Sequence, residues 1–275
     1  MTTLQHKIDF AIVLRVTNAN PNGDPLNGNR PRTNYDGIGE ITDVCLKRKL
    51  RDRLQEHSKA IFVQSDDRRI DRYHSLAERA KGELTEMGGP QTAKLACEKW
   101  FDVRAFGQLF AIKATAGGGG GDTGISVGIR GPVTIQSAFS IDPVEVTSTQ
   151  ITKSVSGEGD GSKRASDTMG MKHRVDGGIY VSCGSMNPQL AERTGFSDED
   201  AATIKAILPK LFENDASSAR PEGSMEVLKV IWWEHPSPAG TCSSAKVHRS
   251  LTVDKAGNVS VAEIAGLKAE IIPGF

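Results

Sequence analysis

The stretch Lys7-Ile-Asp-Phe-Ala-Ile-Val-Leu-Arg-Val16 alternates strictly along its length. Ile8, Phe10, Ile12, Leu14 and Val16 point one way; Lys7, Asp9, Ala11, Val13 and Arg15 point the other. Period-two patterning of this kind predicts a half-buried β-strand. The strand runs into Asn18-Ala-Asn-Pro-Asn-Gly-Asp-Pro25, whose Asn, Pro and Gly residues suit neither helix nor ladder. Arg30-Pro-Arg32 extends that loop. Beyond it Leu46, Leu50 and Leu54 recur every four residues, which predicts a helix over 42–56 capped by Thr42 or Asp43. Lys47, Arg48, Lys49, Arg51 and Arg53 take up much of its remaining surface. By composition alone such a basic helix is as readily a solvated face as a phosphate-binding one.

Residues 60–121 look irregular. They hold Arg68-Arg-Ile-Asp-Arg72, helical patterns near 76–84 and 92–100, and five glycines at 117–121, and they read as an insertion. Strand alternation resumes at Ile125, Val127 and Ile129 and again at Val133 and Ile135, broken by Gly131-Pro132. Residues 150–178 are polar and Gly-rich, with Lys153, Lys163, Arg164, Lys172, His173 and Arg174, and suit a projecting hairpin. A short strand follows at 179–186. Ser197-Asp-Glu-Asp200 is a helix-capping signature, and Ile204, Ile207, Leu208, Leu211 and Phe212 continue the helix with Pro209 as a kink. The last strong strand covers 225–233, and the tail from Ser237 is turn-rich. The order strand, helix, strand, strand, helix, strand is that of the split βαβ, or ferredoxin-like, α+β fold. One domain over 1–275 with large insertions is therefore expected.

Composition narrows the function. The 275 residues carry 34 Lys+Arg and 34 Asp+Glu, so the chain lacks the global basic surplus usual in proteins that bind nucleic acid alone. Its halves differ, however. Residues 1–174 hold 25 basic and 21 acidic side chains, residues 175–275 hold nine and thirteen, and segment 30–53 alone is +3. Opposed surfaces of that kind would attract one another in a head-to-tail assembly. No apolar run approaches the roughly 18 residues of a membrane span, and no basic-then-apolar signal opens the chain. Cys45, Cys97, Cys183 and Cys242 lie far apart, fitting neither a disulfide framework nor a zinc site, and point to a reducing cytoplasm.

Catalytic signatures are sparse. The six histidines show no metal-ligand spacing, and the glycine run is followed by Asp122 rather than the lysine of a phosphate loop. No cofactor or metal is implied. Asp24 is the one candidate catalytic carboxylate, and turn chemistry is the favoured account of it. For nucleic acid the post-strand loop and basic helix offer more. Asn20 and Asn22 can bond sugar or phosphate, Gly23 permits close backbone approach, and Arg30, Arg32, Lys47, Arg48 and Arg51 can pair phosphates. Met169-Gly-Met171 offers flexible thioethers for a wedge between bases or for a protein contact.

Several of these segments together resemble the backbone subunit of type I CRISPR Cascade surveillance complexes, subtype I-C in particular. They are the loop Asn18–Pro25 with Pro31-Arg32, and Ile41-Thr-Asp-Val-Cys-Leu-Lys-Arg-Lys-Leu-Arg51. Ile129-Arg-Gly-Pro-Val133, Ile151-Thr-Lys-Ser154, Met169-Gly-Met-Lys-His173, Gly178-Ile-Tyr180, Thr194-Gly-Phe-Ser-Asp-Glu-Asp200 and Asn214-Asp-Ala-Ser-Ser-Ala-Arg220 agree. The resemblance spans residues 5–236 and implies a ferredoxin-like (RRM-like) palm with a finger-like insertion at 60–122 and a thumb hairpin at 147–178. It implies a non-enzymatic subunit that polymerises with other copies of itself along CRISPR guide RNA, among other Cascade subunits, and presents the guide to target DNA. It implies RNA contacts at Asn20, Asn22, Arg30, Arg32, Lys47, Arg48 and Arg51, and on or near the thumb at Lys153, Met169, Lys172 and His173. Arg68, Arg69 and Arg72 are further candidates on the insertion. The alternatives are a metal-dependent endoribonuclease using Asp24 and a sequence-specific RNA regulator acting as monomer or dimer.

Overall fold

β1 (Ile8–Ala19) lies in the middle of the protein, paired antiparallel along both its edges. In the computed structural model, residues 2–84, 89–112, 125–152 and 169–275 are described. After β1 come β2 (Gly23–Asp24), a 3-10 turn over Pro25–Asn27, β3 (Arg30–Pro31), β4 (Ile38–Ile41) and α1 (Asp43–Glu56). A second 3-10 turn (Asp66–Arg68) leads to α2 (Leu76–Glu83), α3 (Gly89–Lys99), α4 (Phe101–Phe106), β5 (Gly107–Ile112) and β6 (Ile125–Arg130). Then follow β7 (Val133–Ile135), β8 (Ala138–Pro143), β9 (Val146–Thr152), β10 (Met169–Met186), α5 (Pro188–Thr194), α6 (Asp198–Ile207) and β11 (Met225–Glu234). The chain closes with α7 (Ser244–Arg249), β12 (Leu251–Val253), β13 (Val259–Val261) and β14 (Ala269–Pro273). The main antiparallel sheet runs β14-β11-β1-β10-β8-β4, with β7 and β9 also joined to β10. This is a mixed α/β fold built on one large antiparallel sheet. No described helix is long and apolar enough to cross a membrane.

One face of the sheet follows the sequence pattern. Ile8, Phe10, Ile12, Leu14 and Val16 pack with Leu46, Leu50 and Leu54 of α1 and with Ile204 and Ile207 of α6. Each fully buried leucine contributes about 2 kcal/mol by removing apolar surface from water. Thr42 caps α1 by accepting from the Cys45 N–H at 3.3 Å. Ser197 and Asp200 form the expected capping box of α6, and Asp200 also takes a two-pronged bond from Arg104 of α4 at 2.7 and 2.8 Å.

The opposite face departs from the pattern. From Ile8 to Leu14, β1 is buried on both sides rather than half-buried. Ala11 and Val13 join Ile179, Ile231 and Trp233 under a second layer formed by Val247, Leu267 and neighbouring residues of the C-terminal segment. Alternation hid this because Lys7, Asp9 and Arg15 read as solvent-facing. Asp9 is 0% exposed. Its carboxylate accepts from His235 Nε2 at 2.8 Å and lies 3.3 Å from Lys7 Nζ, with His248 Nε2 at 3.7 Å. The Thr241 N–H donates to His235 Nδ1 at 2.9 Å, so the ring's own proton sits on Nε2, facing Asp9. A charge that costs several kcal/mol when buried alone is thereby met by the His235 donor and the Lys7 ammonium, while His248 Nε2 bonds the Gly184 carbonyl at 3.1 Å.

Two further differences concern polar segments. The expected strand over 179–186 is the end of an 18-residue β10. Its first part is largely exposed on both faces, yet it pairs with β9 from Met169↔Thr152 to Val175↔Val146 and so needs no core of its own. The irregular reading of 60–121 also yields. Phe62, Ala80, Leu84, Ala96, Trp100, Val103 and Phe110 form a separate small core, with the Phe62 and Trp100 rings 4.6 Å apart.

His235→Ala should cost about 2–3 kcal/mol, the value of a lost hydrogen bond to a buried charge, read from the urea-unfolding midpoint. Burial holds the His248 imidazole below its ordinary value of 6.5 despite the opposing pull of Asp9. The folded state then binds that proton less readily than the unfolded chain. Stability should be full above about pH 6.5 and fall as the pH drops toward the lower folded-state value. The thermal midpoint of His248→Gln should fall less steeply with acid than that of the wild type.

Candidate nucleic-acid interface

The loop after β1 is held from within. Asn20 is only 3% exposed; its backbone N–H donates to Ala219 O at 2.9 Å and its Nδ2 to Asn29 O at 2.6 Å. Asn22 Oδ1 accepts from both the backbone N–H (2.9 Å) and the hydroxyl (2.8 Å) of Thr42, stitching the loop to the start of α1. A Cβ at Gly23 would displace the Asn29 side chain, which packs against the glycine. Asp24 accepts from the Leu26 N–H at 3.2 Å and lies 3.5 Å from Arg32 Nη2. These Asn and Asp groups therefore shape the loop, and Arg30 and Arg32, on and just after β3, are both partly exposed.

The loop and the β9–β10 hairpin meet at one hydroxyl. Arg30 Nη1 donates to Ser148 Oγ at 2.9 Å, and the same oxygen lies 2.8 Å from His173 Nδ1. Ser148 and His173 are cross-strand partners. Alternation along the hairpin puts Met169, Met171 and His173 on one face and Lys172 and Arg174 on the other. Both methionines are exposed. Lys153 lies outside the described residues, as do Lys163 and Arg164.

The basic helix is less open than its composition suggests. Lys49 is buried against Asp215, and desolvation lowers its ammonium pKa. Arg53 is buried too and bonds Glu56 at 2.9 Å. Arg51, 14% exposed, bonds Asp102 at 2.9 Å and lies over the Phe106 ring. Lys47 pairs with Asp43 at 3.0 Å, one helical turn away. Arg48 is half exposed, 3.7 Å from Asp52 and 3.6 Å from Asp67. Arg68 donates to Glu56 at 2.7 Å and to the Asn214 carbonyl, tying the insertion to α1. Arg69 contacts His74 at 3.1 Å, and Arg72 is exposed beside the Tyr73 ring.

The structure thus gathers Arg30, Arg32 and His173 at the loop–hairpin junction and leaves Lys47, Arg48, Arg68 and Arg69 along α1 and the insertion. Sequence reasoning missed Ser148, whose role needs the hairpin register, and Glu40, which lines a cavity with Arg30 and Arg32. It also passed over Tyr35, although Asn34-Tyr-Asp-Gly37 carries a plain turn signal. Among the described residues no group of three or more His, Cys, Asp or Glu side chains is placed to hold a metal ion.

The family described as CRISPR-associated protein Cas7 matches residues 6–270. The chain belongs to the Cas7 family. A Haloferax volcanii protein described as CRISPR-associated protein Cas7 is 28% identical over 244 residues, covering 84% of this chain and 71% of that protein. Among solved structures, a chain of a CRISPR RNA-guided surveillance complex, pre-nicking, aligns over 82% of this chain and 75% of its own with 16% identity and a TM-score of 0.49. A chain of another CRISPR RNA-guided surveillance complex covers 82% of this chain and 68% of its own, with 16% identity and a TM-score of 0.45. The family match reaches past residue 236, so the covering layer around Asp9 belongs to the Cas7 region of the chain.

Asn22→Ala should remove two bonds from Thr42 and cost about 1–2 kcal/mol in thermal or urea unfolding. Arg30→Ala, a surface change, should stay within about 0.5 kcal/mol.

Proposed function

We propose that this Cas7-family chain is a guide-RNA-binding spine subunit of a type I Cascade complex, subtype I-C. It would polymerise head-to-tail along CRISPR RNA in the cytoplasm, among other Cascade subunits, and present the guide for pairing with target DNA. The observation that carries the reading is the meeting of the post-β1 loop and the projecting hairpin in a Cas7-family chain, with Arg30 and His173 sharing Ser148.

In this reading β1, α1, β8, β10, α6 and β11 are a ferredoxin-like palm. The neighbour order β11-β1-β10-β8 supports it, as does the packing of both helices on one face. Residues 60–122 are the finger, supported by their own small core, and 147–178 are the thumb, supported by the β9–β10 arms. Arg30, Arg32, Lys47, Arg48 and Lys172 neutralise the RNA backbone, with His173 as a polar contact, Met169 on the thumb, and Lys153, outside the described residues, as a further contact. Asn20 and Asn22 act by holding the loop in shape. Arg51 and Arg68, engaged by Asp102 and Glu56, add field more than direct contact, and Arg69 and Arg72 extend it over the finger. Asp24 is a turn residue and a partner of Arg32 in this account, which supports a subunit without cleavage activity.

The test is the mass of the particle purified with its RNA. Several subunits per RNA are expected, with binding that weakens steeply as salt rises. Replacing Arg30, Lys47 and Arg48 together with Ala should keep the fold and lose the assembled particle. A monomer or dimer on RNA would contradict the spine reading. RNA should stay intact with Mg²⁺ in both wild type and Asp24→Asn; cutting by the wild type that the variant loses would support the endoribonuclease.

A further inference from the structure

Beside Arg30 and Arg32 the loop encloses a cavity of ≈ 390 Å³ lined in part by Asp24, Asn27, Thr33 and Glu40. Its charges are peculiar for a surface that only attracts phosphate. Asp24 is engaged by Arg32 and by the Leu26 N–H. The Glu40 carboxylate, by contrast, has no side-chain partner among the described residues. Arg32 also keeps a buried Nε–H with no acceptor. An unpaired carboxylate repels phosphodiester and accepts hydrogen bonds, so beside two arginines it suits a ligand that is anionic at one point and carries a hydroxyl at another.

The rim is also built. Tyr35 is 111% exposed and stands on a rigid turn. Asn34 Oδ1 accepts from the Asp36 and Ile38 N–H groups at 3.0 and 2.9 Å, and the Val144 N–H donates to Gly37 O at 2.9 Å, fixing the turn against the hairpin base. Leu26, 97% exposed, stands on the 3-10 turn beside Asn27. A fully exposed ring on the turn between Thr33 and Gly37, which both line the cavity, suits the way single-stranded nucleic acid is held, by backbone charge and base stacking together.

We infer that this cavity receives one ribonucleotide of the bound strand: Arg30 and Arg32 take the phosphate, Glu40 accepts from the ribose 2′-hydroxyl, and Tyr35 stacks the base. The inference rests on the RNA-binding reading above and adds a residue that tells RNA from DNA, since the 2′-hydroxyl is the group DNA lacks.

Fluorescence anisotropy of the full chain with a labelled RNA and the DNA of the same sequence, at one salt concentration, tests it. Wild type should favour RNA. In Glu40→Gln and Glu40→Ala the RNA-to-DNA affinity ratio should fall, by about tenfold in the Ala variant, as a charge-assisted bond is lost. The loss of negative charge acts on both strands alike and cancels in the ratio. Tyr35→Ala should weaken RNA and DNA together by about tenfold, and Tyr35→Phe should not. An unchanged ratio in both Glu40 variants would overturn the 2′-hydroxyl assignment, and unchanged affinity in Tyr35→Ala would overturn the stacking. Wild type that binds no RNA at all would overturn the proposed function along with it.

Discussion

A carboxylate sits near the start of a strand that is buried on both faces from Ile8 to Leu14. Asp9 obliges the protein to cover the second side of its sheet and to meet the buried charge there, and His235 donates to it while the Lys7 ammonium lies 3.3 Å away. The apolar neighbours Ala11 and Val13 make the same demand through the hydrophobic effect. The C-terminal segment is thus a required layer of the core. With β1 clamped by β10 and β11 and by layers on both faces, its far end is a fixed point from which the working parts hang.

Both parts of the candidate interface depend on that fixed point. The loop leaves β1 after Ala19, which still pairs with Val175, and Asn18 just before it takes a φ of 52°. Buried Asn20 and the Asn22–Thr42 bonds then tie it to α1. The hairpin is the continuation of β10, the strand alongside β1, and Val175 is buried where it leaves the body. Loop and hairpin therefore meet in a set geometry at Ser148, and the cations there are positioned before any ligand arrives. Along α1 the opposite holds. Lys49, Arg51 and Arg53 spend their charge on Asp215, Asp102 and Glu56, joining the helix to its neighbours. The outward charge of the helix comes down to Lys47 and Arg48.

Much of this was legible from residue order. The alternation of β1, the leucine stripe and Thr42 cap of α1, and the capping box of α6 are local signals, and local physics decides them. The strand and hairpin over 147–178 were readable only in outline, because a polar strand pairs through its backbone and leaves little mark on side-chain pattern. The second sheet face was hidden by Lys7, Asp9 and Arg15, residue types that are usually solvated. Besides the Lys7–Asp9 pair itself, each has a partner more than 200 positions away in sequence: Cys242, His235 and Glu226. Candidate site residues were chosen by type, and type does not say whether an arginine is free: Arg30 and Arg51 look alike in sequence, and only Asp102 separates them. Glu40 escaped attention because a carboxylate reads as unsuited to RNA until it is seen beside Arg30 and Arg32.

The central claim is that nucleic acid engages the end of the sheet where loop and hairpin meet, with the C-terminal layer acting as core. Hydrogen–deuterium exchange tests it most directly, on the free chain and on the chain bound to an RNA too short to hold two copies. The account predicts new protection over residues 20–34, 146–152 and 169–176, with little change over 242–272. Protection confined to 242–272, with the loop and hairpin unchanged, would contradict it.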